Sequence, residues 1–293
     1  MARPAYRFNT RPGRVFDVIN VVILVAVGVI ALIPFLYVLA GSFATEAEIA
    51  TRPFFIWPET WSLRAYDAIL TSPAFLRALV TTILVTAVGT AVQLLLTASM
   101  AYPLSKQNLP GRRLILSLVV FTMVFSGGMI PTFLVVKDLG LLNSYWALVL
   151  PMAINPFSLI IIKNFFQQLP NELEESAMID GANEMRTLWS VILPLSKPVL
   201  ATFALFYAVG IWNDFMSPLL YLTDNSMWTL QMFLRQVTSA TDLSVLEDTP
   251  GEVPPAEGIK FAVIIVATLP ILLFYPFLQK HFAKGMLIGS VKG

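Results

Sequence analysis

The chain contains no cysteine and one histidine, His281. The lack of cysteine excludes a disulfide framework and a thiolate metal site. A lone histidine also argues against histidine-based zinc or proton-relay chemistry. Charged residues are scarce as well, at 13% of the 293 positions. Soluble domains carry about 25% charged residues, so this composition argues against a soluble globular protein.

Catalytic motifs are missing too. No G-x-x-x-x-G-K-[ST] phosphate-binding loop is present, and the nearest candidate, Gly111-Arg112-Arg113, has the wrong spacing and no following Lys-Ser. No Ser-His-Asp set, His-Glu-x-x-His motif or pair of intramembrane carboxylates is visible. The sequence therefore predicts that this chain catalyses no reaction.

Apolar residues dominate instead: they make up 57% of the chain, with a mean hydropathy of +0.74. A bilayer core about 30 Å thick requires about 20 apolar residues per spanning helix. Six stretches meet this requirement, and each is predicted to be a helix because irregular backbone cannot face lipid. The predicted spans are 16–40, 75–101, 114–136, 145–166, 199–222 and 261–282. The predicted fold class is an all-α membrane protein with six transmembrane helices.

The distribution of Lys and Arg predicts the orientation of these spans. Thirteen of the nineteen fall on the side that holds the amino terminus, so both termini are predicted to be cytoplasmic. The first span resembles a signal peptide, but its apolar run is longer than the usual core of such signals. The predicted domains are a cytoplasmic segment 1–15, a membrane domain 16–283 and a cytoplasmic tail 284–293.

The segments predicted to lie on the extracytoplasmic side contain aromatic and acidic residues. Trp57, Trp61 and Tyr66 are typical of anchors at the membrane interface. The segment 223–259 is acidic, and its part Trp228–Val237 has the pattern of a short amphipathic helix.

A polar segment, Asn171–Pro198, interrupts the apolar chain between the fourth and fifth spans; we call it the docking loop. Six charged residues lie within fifteen of its positions. Asn171 is predicted to cap a helix whose first turn is acidic, and Asp180-Gly181 to end it. A second helix is predicted through Trp189 and Leu193, with Pro194 stopping it. The alternatives are a solvated connection or a surface for another protein, and exposure of apolar residues would favour the second. The residues expected to be exposed are Leu188, Trp189, Val191 and Ile192.

The order of residues in this loop resembles the E-A-A…G…I-x-L-P motif of permease subunits of binding-protein-dependent ABC importers. The matching runs are Glu175-Ser176-Ala177, Asp180-Gly181-Ala182 and Val191-x-Leu193-Pro194, with Ser176 and Val191 replacing the usual Ala and Ile. The resemblance extends from about Phe35 to Gly293 and favours the oligosaccharide branch. It implies that the loop binds a cytoplasmic ATPase. The implied contact residues are Glu172, Glu174, Glu175, Ser176, Ala177, Asp180, Gly181, Ala182, Trp189, Leu193 and Pro194.

Candidates for a substrate path lie inside the predicted spans. Asp214 is ionisable at membrane depth, where such residues are costly and often functional; a structural or gating role is the alternative. Gly and Pro breaks in the third and fourth spans mark either substrate-facing hinges or close helix crossings. Tyr207 and Trp212, in the fifth span, either stack on sugar rings or simply pack against other helices. The candidates are Ser126, Gly127, Asn155, Tyr207, Trp212, Asn213 and Asp214.

The resemblance implies half of a pore in an ATP-driven sugar importer of a bacterial inner membrane. The implied partners are a second permease, two ATPase subunits carrying ATP and Mg, and an extracytoplasmic solute-binding protein. Contact of the carboxy-terminal tail with the ATPase is also implied. No cofactor is expected on this chain. An ion-coupled secondary transporter and an intramembrane enzyme are the alternatives, disfavoured by the lack of inverted repeats and of catalytic residues.

Overall fold

The protein is described here from a computed structural model, which covers the backbone of residues 14–239 and 256–289 and the side chains of 16–239 and 257–273. These residues are mainly helical, and the described part contains one isolated antiparallel bridge, between Ala44 and Trp61, and no sheet. The predicted all-α class is confirmed. The tail 284–293, expected to contact the ATPase, and the acidic residues 242–252 lie outside the ranges whose side chains are described.

Two compact units make up the chain. One comprises Met1–Ile69 with Pro254–Ile265, and the other comprises Leu70–Val253 with Val266–Gly293. The helices before the second predicted span are α1 (Arg14–Ser42), α2 (Glu46–Thr51) and α3 (Arg64–Thr71). The next are α4 (Pro73–Ser105), α5 (Arg112–Val124), α6 (Met129–Asp138), α7 (Trp146–Val149) and α8 (Pro156–Phe166). The docking loop contains α9 (Asn171–Ile179), α10 (Glu184–Thr187), a π-helical turn (Leu188–Ile192) and α11 (Leu193–Leu195). The remaining helices are α12 (Lys197–Trp212), α13 (Met216–Tyr221), α14 (Leu230–Ser239) and α15 (Ala256–Gly289).

Two described helices are long and apolar enough to cross a membrane unaided. They are the first predicted span, observed over Phe16–Ser42, and the second, observed over Pro73–Ser105. Three bent helix pairs bring the number of candidate spans to five when each pair counts as one crossing. The sixth predicted span lies within α15, whose side chains are described as far as Leu273.

The third and fourth predicted spans are broken at the Gly and Pro positions predicted to interrupt them, whereas the fifth, predicted without a break, is broken as well. The third breaks at Phe125–Gly128, where Gly128 has φ +86° and α5 and α6 bend by 118°. The fourth bends by 57° at Asn155, since the proline that follows it cannot continue the hydrogen-bond ladder. The fifth ends at Trp212, and the chain re-enters a helix at Met216. Each break falls at glycine, proline or polar residues, which weaken a helix locally.

In the second unit α4 packs against both α8 and α12. Gly89 of α4 permits the approach to α12, because a Cβ at this position would lie 2.7 Å from Cδ1 of Ile211. Near the carboxyl end of α4, a buried cluster joins these helices to the docking loop. It includes Ala98, Ala101, Leu104, Leu159, Ile162, Leu188, Ile192 and Phe203.

The short amphipathic helix predicted at Trp228–Val237 is observed as α14, which begins two residues later. Its apolar side, formed by Leu230, Phe233 and Val237, is buried. The backbone N–H of Leu230 donates a 2.7 Å hydrogen bond to Oγ1 of Thr82, which ties α14 to α4.

Candidate docking surface

Helix α9 begins at Asn171, but the N-cap position belongs to Pro170 and no side chain caps the helix. The predicted Asn171 cap is therefore wrong. The predicted acidic first turn is present, with Glu172 and Glu174 near the amino end of the helix dipole. Proline fixes φ near the value that a helix entry requires, so it can occupy this position without a side-chain acceptor.

The predicted break at Asp180-Gly181 is confirmed in detail. Gly181 has φ +81°, a conformation that costs little for glycine alone. The N–H of Gly181 donates to the carbonyl of Met178 at 3.0 Å, and the N–H of Ala182 donates to that of Ala177 at 2.9 Å. These two bonds form the Schellman arrangement that satisfies carbonyls at the end of α9.

The second helical stretch starts earlier and ends later than predicted. Asn183 caps α10, because its Oδ1 accepts a 2.8 Å hydrogen bond from the N–H of Arg186. The helical stretch continues past Pro194 and ends at Leu195, so the predicted stop at this proline is wrong. Pro194 is tolerated because it occupies the first turn of α11, directly after the π-helical turn.

The docking loop exposes apolar side chains, as predicted, but the prediction is wrong for two of the residues that it named. Leu188 and Ile192 are buried against α4 and α8, since the loop folds back onto the cluster described above. Trp189 is exposed as predicted, and Ile179 has 86% of its surface accessible. Besides Leu195 at its end, the exposed large apolar residues of the docking loop are Leu173, Met178, Ile179, Met185 and Trp189. We call these five the apolar docking set.

Two polar contacts link the docking loop to the end of α4. The hydroxyl of Tyr102 donates a 2.6 Å hydrogen bond to Oε2 of Glu184. Lys106 forms an ion pair with Glu174, and its Nζ lies 4.5 Å from the centre of the Tyr102 ring. Because Glu174 belongs to α9 and Glu184 to α10, both halves of the loop are attached to the same end of α4.

The same end of α4 also bonds to the neighbouring helices. Nε of Arg112, at the start of α5, donates to the carbonyl of Leu104 at 2.8 Å. Nε2 of Gln167, at the end of α8, donates to the carbonyl of Ser105 at 3.1 Å. Oε1 of the same side chain accepts a 2.8 Å bond from Nζ of Lys163. These cations and amides satisfy the carbonyls that a helix leaves free at its carboxyl end.

Sequence reasoning missed Tyr102, Lys106, Ile179 and Met185. Tyr102 and Glu184 are 82 positions apart, and no local pattern indicates such a pairing. Ile179 lies directly before the Asp-Gly turn, so an apolar residue beside a predicted turn was the available signal.

Several of the predicted substrate-path residues form hydrogen bonds with other residues of this chain. Tyr207 is buried and hydrogen-bonds through its hydroxyl to Thr97 at 3.1 Å; Nε1 of Trp212 donates to the carbonyl of Ala267 at 3.1 Å. Asn155 caps α8 through Ser158. Ser126 and Gly127 are exposed at the break of the third span.

Asp214 lies between α12 and α13. Its Oδ1 accepts hydrogen bonds from the N–H groups of Met216 at 3.0 Å and Ser217 at 3.1 Å. Asn213 donates to the carbonyl of Val209 at 2.9 Å. These two bonds hold the Asp214 carboxylate at the amino end of α13.

The chain matches the family model described as binding-protein-dependent transport system inner membrane component over residues 2–288. It is 66% identical over 287 residues to protein LplC of Bacillus subtilis, covering 97% of each chain. It is 52% identical over 284 residues to the polygalacturonan/rhamnogalacturonan transport system permease protein YtcP of the same organism, covering 96% of this chain and 99% of that one. A crystal structure of a bacterial ABC transporter involved in the import of the acidic polysaccharide alginate contains a similar chain. That chain has a TM-score of 0.86 and 31% identity, with 96% of this chain and 100% of that chain covered.

These matches span nearly the whole chain and agree with the motif in the docking loop. ATP hydrolysis in such systems belongs to a separate ATPase, and the membrane subunit is non-catalytic. The chain belongs to the family of inner membrane components of binding-protein-dependent transport systems, the permease subunits of ABC importers.

Proposed function

We propose that this permease forms half of a sugar-importing pore and couples to a cytoplasmic ATPase through the docking loop. A second, related permease would complete the pore, two ATPase subunits would bind beneath it, and a solute-binding protein would deliver the sugar. Both termini, residues 1–15 and 284–293, would then lie on the cytoplasmic side. Residues 16–283 would form the membrane domain between them.

The single observation that carries the coupling proposal is the exposure of the apolar docking set on a loop anchored to a spanning helix. Ile179, two residues before Gly181, and Trp189, in the π-helical turn, expose large apolar surfaces, as a protein-binding site requires. Movement of a bound ATPase would be transmitted to α4 through Glu174 and Glu184, and from α4 to α8 and α12, which pack on it. This path would link ATP-driven closure to alternating access.

For the substrate we propose an acidic oligosaccharide. The support is the 52% identity to a permease named for polygalacturonan and rhamnogalacturonan transport, together with the likeness to an alginate importer. Both names describe uronate-containing polysaccharides. The solute-binding protein would select the substrate, and the spans of this chain would provide the passage.

Reconstitution tests both parts. The permease pair, the ATPase and the solute-binding protein are placed in vesicles, and uptake of a uronate oligosaccharide is compared with that of a neutral oligosaccharide of equal length. We expect ATP-dependent uptake of the uronate that requires the ATPase. Uptake by the permease alone under a proton or sodium gradient would overturn the coupling proposal, and preference for the neutral sugar would overturn the substrate proposal.

A further inference from the structure

The segment that follows α1 carries an unusual concentration of exposed apolar side chains. Between Pro53 and Leu63, which we call the aromatic loop, five large apolar residues are exposed, and Trp57 has 69% of its surface accessible. The exposed residues are Phe54, Ile56, Trp57, Trp61 and Leu63. A loop surrounded by water on all sides would gain nothing from this composition.

The loop is held at several points. At one end, the N–H of Ser62 donates a 2.7 Å hydrogen bond to the carbonyl of Phe43, directly after α1. Inside, the carboxylate of Glu48 in α2 is buried and accepts hydrogen bonds from the N–H groups of Glu59 at 2.9 and 3.1 Å and of Thr60 at 3.2 Å. The guanidinium group of Arg52 forms an ion pair with the same carboxylate. The exposed aromatics are therefore displayed by a fixed backbone.

Ring contacts show where the loop lies along α1. Phe54 stacks on Tyr37 with ring centroids 5.5 Å apart, and Phe55 meets the same ring edge-on at 5.9 Å. Tyr37 precedes the end of α1 at Ser42 by five residues, which is about 7.5 Å along a helix that rises 1.5 Å per residue. The loop thus extends from the level of Tyr37 to the end of α1, where the ring of Trp61 lies 5.6 Å from that of Phe43.

That depth matches the boundary between headgroups and acyl chains. Amphipathic segments lying in this boundary bury their apolar side about 5–10 Å deep, and tryptophan is enriched there. Trp57 and Trp61 contact each other edge-on at 5.3 Å, so they present one combined aromatic surface. Helix α1 itself exposes its apolar residues from Phe16 to Leu39, and the loop continues that lipid-facing surface.

From this geometry we propose that the aromatic loop is a lipid-binding surface that inserts into the membrane interface beside α1, with Glu48 fixing its depth. The occupant of this surface is the acyl and headgroup boundary of the bilayer, and not the solute-binding protein. The proposal rests on α1 crossing the membrane and is independent of the docking loop.

Spin-label accessibility tests the proposal, and the absence of native cysteine makes the labelling site-specific. Ile56→Cys, in the aromatic loop, is compared with Glu46→Cys, an exposed polar position in α2. Both are labelled in the complete transporter in lipid vesicles, with partner chains made cysteine-free. We expect the label at position 56 to be more accessible to oxygen than to an aqueous nickel complex, and the label at position 46 to show the reverse.

Three results would overturn the proposal. One is equal access of the nickel complex to both labels, which would place the loop in water. Another is protection of position 56 from oxygen and nickel alike, which would indicate a protein partner. The third is protection that appears only after the solute-binding protein is added. Glu48→Gln in the Ile56→Cys background tests the fixing role, and we expect its label to shift toward the aqueous reagent; an unchanged depth would refute that role.

Discussion

The hydroxyl of Tyr102 and the carboxylate of Glu184 form a 2.6 Å hydrogen bond that joins the end of α4 to the second helix of the docking loop. Lys106, one turn further along the chain, pairs with Glu174 of the first helix. Together these contacts attach both halves of the docking loop to α4, which, under the coupling proposal, would receive their motion.

Tyr102→Phe removes this hydrogen bond and keeps the ring. Hydrogen bonds to charged groups contribute about 1.5–3 kcal/mol, so we expect weaker coupling, with ATP hydrolysis retained and sugar uptake per ATP reduced. The measurement is the ratio of uptake to ATP hydrolysis in vesicles. Tyr37→Phe, which removes a hydroxyl in the first unit, is the control and should leave the ratio unchanged. An unchanged ratio for Tyr102→Phe would exclude this contact from the coupling path.

Ile179→Asp places a charge at the most exposed member of the apolar docking set. We expect the ATPase to be lost during purification, because a buried unpaired carboxylate is costly at an interface. Folding should be unaffected, since the side chain is exposed in the isolated chain. Asn108→Asp, an exposed position in the α4–α5 connection, provides a control of equal charge. If both variants retain stoichiometric ATPase, Ile179 does not belong to the interface.

Gly181→Val tests the turn between the two helices of the docking loop. A β-branched residue at φ +81° is strained, so the Schellman turn should open and reduce ATPase binding while leaving membrane insertion intact. The strain arises from the backbone conformation and not from a steric clash, because no atom lies within 4 Å of a Cβ built at this position. Gly181→Asn is the matched variant, since asparagine tolerates this conformation, and it should bind the ATPase better than the valine variant. Equal binding by the two variants would contradict this account of the turn.

The environment of the Glu48 carboxylate should make the thermal stability of the protein depend on pH. Hydrogen bonds from the backbone of Glu59 and Thr60, with the nearby Arg52 guanidinium, hold the pKa of Glu48 below its usual value. A carboxyl group with a lowered pKa stabilises the folded state above its ordinary pKa of about 4.3, and this contribution is lost as the pH falls through the lowered value. The melting temperature of the wild type should therefore exceed that of Glu48→Gln at neutral pH, and the difference should shrink below about pH 4.3. A difference independent of pH would show that packing, and not the charge, is responsible.

The features set by local chemistry were predictable from the sequence. The turn at Gly181 follows from a residue that adopts positive φ, and the breaks near Gly128 and Asn155 follow from glycine and proline. The features that depend on distant neighbours were not. Leu188 and Ile192 look exposed in a polar segment, but they are buried because α4 and α8 cover them. The role of Tyr102 is likewise invisible without the fold, since its partner is 82 positions away.

Cross-linking from Ile179 to the ATPase tests the central claim most directly. Ile179→Cys provides the one thiol on this chain, and a bifunctional maleimide is added to the assembled transporter with an ATPase that carries a cysteine in its permease-facing cleft. Asn108→Cys serves as the comparison. The account predicts a covalent product of one permease and one ATPase from position 179, and much less from position 108. Efficient cross-linking from position 108 with none from position 179 would contradict it.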